Sequence, residues 1–283
     1  PHFNKGLYEF AVSKMYKEDA TGRREKIVPV DKEKVKELMK KFGIILNNDE
    51  LYDSVYVYSA AMADYFGRSI PNEELLAKHP LTLSADDAVL DLGCGKGLTS
   101  FAIAKETCAK VYANDLWISA EDNAKRFSGW CVGEQIVPVH EDANELHFDE
   151  GQFAALISID SYHYFATKKG FFEEKILPFL RDKAVVLIGI PGIKDEFSGR
   201  SEELLADWLG EEAYMFQSPS VWKEIIGNND KIDDIETWEM NCFDKAWEEW
   251  FATEHKYALG DKRFFDTLIK PYTCFVGIYI KLK

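Results

Sequence analysis

Two stretches of this sequence hold residues whose types and spacing could do chemistry. The first, residues 89–100, reads Val-Leu-Asp-Leu-Gly-Cys-Gly-Lys-Gly-Leu-Thr-Ser, with Gly93, Gly95 and Gly97 at alternate positions. Bare glycines let a ligand approach the backbone closely, and the start of a following helix offers unpaired N–H groups. The second, residues 158–165, reads Ser-Ile-Asp-Ser-Tyr-His-Tyr-Phe. It gathers a carboxylate, hydroxyls, two phenols and an imidazole. His163 titrates near neutrality and could take a proton from a nucleophile. Asp160 could orient it or bind a substrate ammonium, and Tyr162 is a further candidate. Tyr162 and Tyr164 could hold a cationic or aromatic substrate by their ring faces.

These groups need elements to bring them together. An apolar run at 88–92 reads as a strand buried on both faces, and residues 98–106 as the helix that follows the glycines. Further strands fit 110–114, 135–139, 154–159 and 184–190, with helices at 119–127 and 168–180. This alternation predicts a doubly wound α/β fold around a parallel sheet. Right-handed crossovers put the strand ends on one edge, so Gly93, Asp115, Asp142 and Asp160 would line one crevice. Asp115 ends the second strand near the ~20 residues past the glycines expected of a carboxylate that holds ribose hydroxyls.

The spacing of the glycines narrows the ligand. A dinucleotide fingerprint would place its third glycine at position 98, which is Leu98. A Walker loop needs Gly-Lys-Ser/Thr after a four-residue gap, which is absent. With Asp91 two residues before Gly93, the stretch resembles motif I of the class I S-adenosylmethionine-dependent methyltransferases. Together with Ala-Asn-Asp-Leu-Trp (113–117) and Asp-Ser-Tyr-His-Tyr-Phe (160–165), it is similar to their bacterial small-molecule branch. The resemblance covers residues 83–192, and the last strand more weakly. It implies a Rossmann-like methyltransferase fold, a mostly parallel seven-stranded sheet, with S-adenosyl-L-methionine as cofactor and S-adenosyl-L-homocysteine as product. It also implies cofactor contacts at Asp91, Gly93, Gly95, Gly97 and Asp115, and an adenine site beside Leu116 or Trp117. Asp142 and the Ala143 N–H would read the adenine edge, with Glu141 as a competitor for Asp142. The loop from Asp160 would pass between the methionine end of the cofactor and the substrate.

The flanks complete the expected organisation. Residues 1–82 read as an N-terminal helical cap, with helical spacing near 7–15, 31–42 and 49–66 and a short helix at 71–78. Arg23 to Lys26 reads as a charged connector. Residues 83–283 form the methyltransferase domain. Beyond residue 193 come helices at 202–209 and 219–226 and two strands at 235–243 and 274–282. Between these strands lies 244–270, rich in Trp and Phe, a helical insertion where the family usually has a simple hairpin, and a candidate lid.

Composition limits the partners. Of 283 residues, 34 are Lys or Arg and 49 are Asp or Glu, a net charge of −15. Such a field repels phosphate backbones and anionic lipid, so neither nucleic acid nor a membrane surface is expected. The five cysteines are scattered with no C-x-x-C pair, so no zinc site or disulfide framework is expected, and no metal. No signal sequence or membrane span is visible, and a reducing cytoplasm fits best. The expected activity is methyl transfer to a small-molecule acceptor, an amine nitrogen or a hydroxyl. The rivals are a non-catalytic S-adenosylmethionine sensor, a cyclopropane-synthase-like lipid enzyme, which the charge disfavours, and a nicotinamide dehydrogenase, which Leu98 disfavours.

Overall fold

The computed structural model of the chain describes residues 16–18, 24–26, 74–75, 77–107, 109–129, 132–252 and 256–283. A short antiparallel pair, β1 (Tyr16–Glu18) and β2 (Arg24–Lys26), precedes the main sheet, so the expected charged connector is in part a strand. The helices expected at 7–15, 31–42 and 49–66 lie outside the described residues. Glu74, Leu75, Ala77 and Lys78 are helical, part of the short helix expected at 71–78.

The sheet has seven strands: β3 (Ala88–Leu92), β4 (Lys110–Asn114), β5 (Ile136–Val139), β6 (Phe153–Ile159), β7 (Leu180–Ile193), β8 (Ile232–Glu239) and β9 (Thr273–Leu282). Their spatial order is β5-β4-β3-β6-β7-β9-β8. All neighbouring pairs are parallel except β7–β9 and β8–β9. The order reverses direction beside β3, so the ends of β3, β4 and β6 open a crevice there, as the strand alternation predicts.

Two apolar layers sandwich the sheet, and strand alternation sorts the residues between them. Val89, Val111, Ala155 and Ile157 face one core, with Phe101 of α1 (Leu98–Thr107) and Phe127 of α2 (Ala120–Gly129). Leu90, Leu92, Val186 and Ile188 face the other, with Tyr162, Phe171 and Trp222. Trp222 belongs to α4 (Pro219–Ile226), which Ser218 caps by accepting from the Val221 N–H. The helix before it, α3, spans Ser201–Leu209.

Three boundaries depart from the periodicity. The expected helix at 168–180 is a π turn, Phe172–Ile176, followed by a 3-10 turn, Leu177–Phe179. Pro178 has no N–H to continue an α ladder. β7 extends beyond 184–190 because its start pairs with Phe153 and its end with β9, as far as Ile193 opposite Thr273. β8 ends at Glu239 rather than near residue 243. The Glu74 carboxylate accepts from the backbone N–H groups of Asn241 and Cys242, both at 2.9 Å, and turns the chain into α5 (Phe243–Ala252). α6 (Lys256–Asp261) follows.

Candidate functional site

The crevice floor is a web of bonds among the ends of β3, β4, β5 and β6. The Asn114 carbonyl accepts from the N–H groups of both Gly93 and Cys94 at 2.9 Å. The Asn114 side chain bonds both backbone groups of Glu141, donating at 3.2 Å and accepting at 3.1 Å. The Ser158 hydroxyl donates to the Leu92 carbonyl at 2.7 Å. Such pairing leaves few buried polar groups unmatched where the strands end.

Within the turn the three glycines do different work. All have positive φ, +76° at Gly93, +54° at Gly95 and +82° at Gly97. A Cβ on Gly93 would lie 1.7 Å from the Ser161 Oγ, and one on Gly97 would lie 2.2 Å from the Phe127 ring, whereas one on Gly95 would meet nothing within 4 Å. Gly93 and Gly97 therefore serve close packing, while Gly95 leaves open space. Asn123 of α2 fixes this turn by donating to the Gly95 carbonyl at 2.9 Å.

A cavity of about 680 Å³ stands over that open space. From the first half of the fold it is lined by Gly93, Gly95, Asp115, Leu116, Trp117 and Ala143, and both competing acids, Glu141 and Asp142, reach it. Asp91 and Gly97 do not line it. Asp91 is buried below, accepting from the Ser100 hydroxyl at 2.5 Å, and its Oδ1 has no partner. Burial pushes its carboxyl up to about 7, against the Ser100 bond and with the Asp115 charge adding to the rise.

Asp115 shapes the turn as well as facing the cavity. Its Oδ2 accepts from the Gly95 N–H at 2.7 Å, and its Oδ1 from the N–H groups of Trp117 and Ile118 at 2.8 Å each. Asp142 accepts from both the N–H and the side-chain amide of Asn144 at 2.8 Å, and the backbone bond holds its carboxyl below the usual range. Glu141 turns back to accept from the His147 N–H at 2.9 Å.

The stretch after β6 divides sharply. Asp160, Ser161, Tyr164 and Phe165 line the cavity, whereas Tyr162 and His163 do not. A 3-10 turn at Tyr162–Tyr164 sends consecutive side chains in different directions. Tyr162 is 1% exposed and packs against Phe165, Phe171 and Trp222 in the second core. His163 is 2% exposed, lies against Tyr164 and Phe216, and its Nδ1 has no partner. Burial drives its imidazole down to about 3, so it stays neutral at physiological pH. The expectation that both face the crevice is thereby corrected: the packing of the aromatic core turns them away from it.

Asp160 has the opposite character. Its backbone is left-handed, φ +54°, a conformation uncommon for a non-glycine residue. It is exposed, opening into the cavity, with protein atoms crowded around its carboxyl. Lost solvation, with the nearby Asp261 carboxylate adding to it, pushes its carboxyl up to about 7. The Tyr164 phenol is raised by burial and then by the Asp160 charge.

The insertion contributes Trp250 from α5 and Tyr257 from α6 to the cavity wall. Asp261 holds Trp250 in place: its Oδ2 accepts from the Trp250 indole and its Oδ1 from that of Trp208, both at 3.0 Å. The aromatic content of the insertion marks it in the sequence, but which rings face the cavity was not readable there. The packing of Ser161 on Gly93 was likewise not readable, although its hydroxyl stands in the chemistry-bearing stretch. Among the described residues no group of three or more His, Cys, Asp or Glu is placed to hold a metal ion, and no helix is long and apolar enough to cross a membrane.

The residues present fit an S-adenosylmethionine-sized ligand, since the cavity covers the open face of Gly95 and presents the Asp115 and Asp142 carboxylates. Comparison with known proteins agrees. A methyltransferase domain model matches residues 89–176, and a domain of unknown function, DUF7841, matches residues 1–91. No curated protein matches. Among solved structures, the geranyl diphosphate C-methyltransferase of Streptomyces coelicolor A3(2), crystallised with S-adenosyl-L-homocysteine, is 15% identical, with a TM-score of 0.64 over 82% of this chain and 84% of that one. A putative sarcosine dimethylglycine methyltransferase from Galdieria sulphuraria is 12% identical, with a TM-score of 0.63 over 87% of this chain and 97% of that one. A phosphoethanolamine N-methyltransferase from Haemonchus contortus is 16% identical, with a TM-score of 0.57 over 78% of this chain and 57% of that one. At these identities the likeness is one of fold. The methyltransferase domain model spans the very strands and turn that build this crevice, and the chain shares its fold with the class I S-adenosylmethionine-dependent methyltransferases.

Proposed function

We propose that this enzyme transfers the methyl group of S-adenosyl-L-methionine to a small-molecule acceptor, at an amine nitrogen or a hydroxyl. One observation carries the reading: a single cavity is lined by the glycine turn and Asp115 together with Asp160, Tyr164, Trp250 and Tyr257. When bound, the cofactor supplies an activated methyl whose departing sulfur keeps the bonding electrons. What the chain must add is position, exclusion of water and a place for the acceptor's proton.

Asp160 is suited to that last task. A carboxyl pushed up to about 7 is half-ionised near neutrality, where a general base is most effective. Gly95 and Asp115 would hold the methionine and ribose parts of the cofactor, with Trp117 and Ala143 beside the adenine and Asp142 reading its edge. The insertion at 244–270 would close over the acceptor. The division into a cap at 1–82 and a catalytic domain at 83–283 belongs to this same proposal. The neighbours act on acceptors as different as geranyl diphosphate and phosphoethanolamine, so fold gives no acceptor.

The test is methyl transfer from labelled S-adenosylmethionine to pooled amines and alcohols. Label in a small-molecule product, lost in Asp160→Asn, supports the reading. Tight S-adenosylhomocysteine binding without transfer to any acceptor would instead make the protein a sensor.

A further inference from the structure

Resting on that reading, we infer that the acceptor half of the cavity is a subsite for an organic cation, an alkylammonium group without a phosphate. Asp160, Tyr164, Trp250 and Tyr257 form it. Three rings from three separate elements and one carboxylate converge on the same space. Ring faces and a carboxylate attract a positively charged nitrogen, and the attraction is strongest where water is displaced. A hydroxyl acceptor would need no such surrounding charge.

The position of the group fits transfer. Ser161 lies against Gly93, and Asp160 is the residue just before it. Trp117 meets Tyr164 edge to face, with centroids 5.1 Å apart, and joins the adenine side to the acceptor side. Trp250 does not sit there by chance of packing. Asp261 accepts from both Trp250 and Trp208, so one carboxylate fixes the ring that closes the subsite. The same carboxylate lies close enough to Asp160 to raise its pKa. A cation beside Asp160 would offset that repulsion.

The charge of the lining argues in the same direction. Among the described residues, the cavity is lined by Asp115, Glu141, Asp142 and Asp160 against the lone cation Lys96. A diphosphate acceptor such as that of the geranyl diphosphate enzyme would bring more negative charge beside these carboxylates, of which Asp160 stands on the acceptor side. An ammonium enters with them and can leave its proton on Asp160, which exposes the nitrogen lone pair.

Tetramethylammonium, which cannot itself accept a methyl, is the probe, with 2,2-dimethylpropan-1-ol as its neutral counterpart of similar shape. Both are titrated calorimetrically into the full chain saturated with S-adenosylhomocysteine. The cation should bind at least about tenfold more tightly than the alcohol. Asp160→Asn and Trp250→Leu should each weaken it by about tenfold, while Trp250→Phe, which keeps a ring, should stay within about threefold. Equal affinity for the two probes overturns the subsite, as does an unchanged cation affinity in both weakening variants. A prior titration with S-adenosylhomocysteine alone separates the two readings. Absence of that binding overturns methyl transfer and the subsite together, whereas binding without cation preference overturns the subsite alone.

Discussion

A methyl group on Gly97 would lie 2.2 Å from Cε1 of Phe127, a fully buried ring of α2, whereas a methyl on Gly95, two residues earlier, would touch nothing. One glycine turn thus has a structural position and a ligand position. Gly97→Ala should lower stability by about 2 kcal/mol or more, from the clash and the positive φ together. Gly95→Ala should cost only about 1 kcal/mol in strain and still block the cofactor. Thermal melts with and without S-adenosylhomocysteine check this: Gly95→Ala should melt near the wild-type temperature and lose the ligand-induced rise. Equal melting losses in the two variants would contradict the division.

Asp115 accepts three backbone N–H groups from its own loop and the glycine turn. Asp115→Ala should therefore weaken cofactor binding roughly 30–1000-fold, by losing both ribose contacts and the shape of the turn. Calorimetry with a folded variant measures it, and unchanged affinity would remove Asp115 from the cofactor site.

The Asp160 carboxyl, raised to about 7, gives two coupled expectations. Its charged form is disfavoured by folding, so its contribution to stability is present below the ordinary carboxyl range and is lost as pH rises through about 7. Asp160→Asn should thus raise the melting temperature relative to wild type more at pH 8.5 than at pH 5. The transfer rate should rise with pH through about 7 and flatten above it, and Asp160→Asn should lower it by ~10²–10⁴-fold. A flat single-turnover profile from pH 6 to pH 9 with a non-titrating acceptor would refute the general base.

His163 should behave in the contrary way. It is buried against Phe216, its imidazole is driven down to about 3, and it does not line the cavity. Its stabilising contribution is present above its ordinary value of 6.5 and is lost as pH falls toward 3. His163→Ala should cost about 2–4 kcal/mol of stability, while single-turnover transfer by the folded fraction changes less than a few-fold. A large rate loss in a variant of normal stability would restore His163 as the proton acceptor.

Glu74 gives a prediction about long-range assembly. It caps the start of α5 through the Asn241 and Cys242 N–H groups and also accepts from the Trp238 indole at 3.2 Å. Glu74→Ala should destabilise the protein by about 1–3 kcal/mol and speed amide exchange in α5 before the central strands. Uniform exchange across both would count against this cap.

The strands, their parallel sheet and the glycine turn were legible because each is written in local pattern. A five-residue apolar run buries on two faces, and glycines at alternate positions break it in one way. The same locality made Asp115, Leu116 and Trp117 readable, since a strand end fixes where the next residues go. Tertiary packing decided the rest. Whether Asp160 or His163 faces the cavity depends on a 3-10 turn and on Tyr162 entering a core built from Phe171 and from Trp222, which lies far along the chain. Gly95 and Gly97 are alike in sequence and differ because Phe127 stands over one of them. The end of β8 and the aim of Trp250 are set by Glu74 and Asp261 through bonds that span residues with no shared periodicity. Period and propensity act over a few residues, whereas the direction of a side chain at a strand end is chosen by whichever distant neighbours bury it.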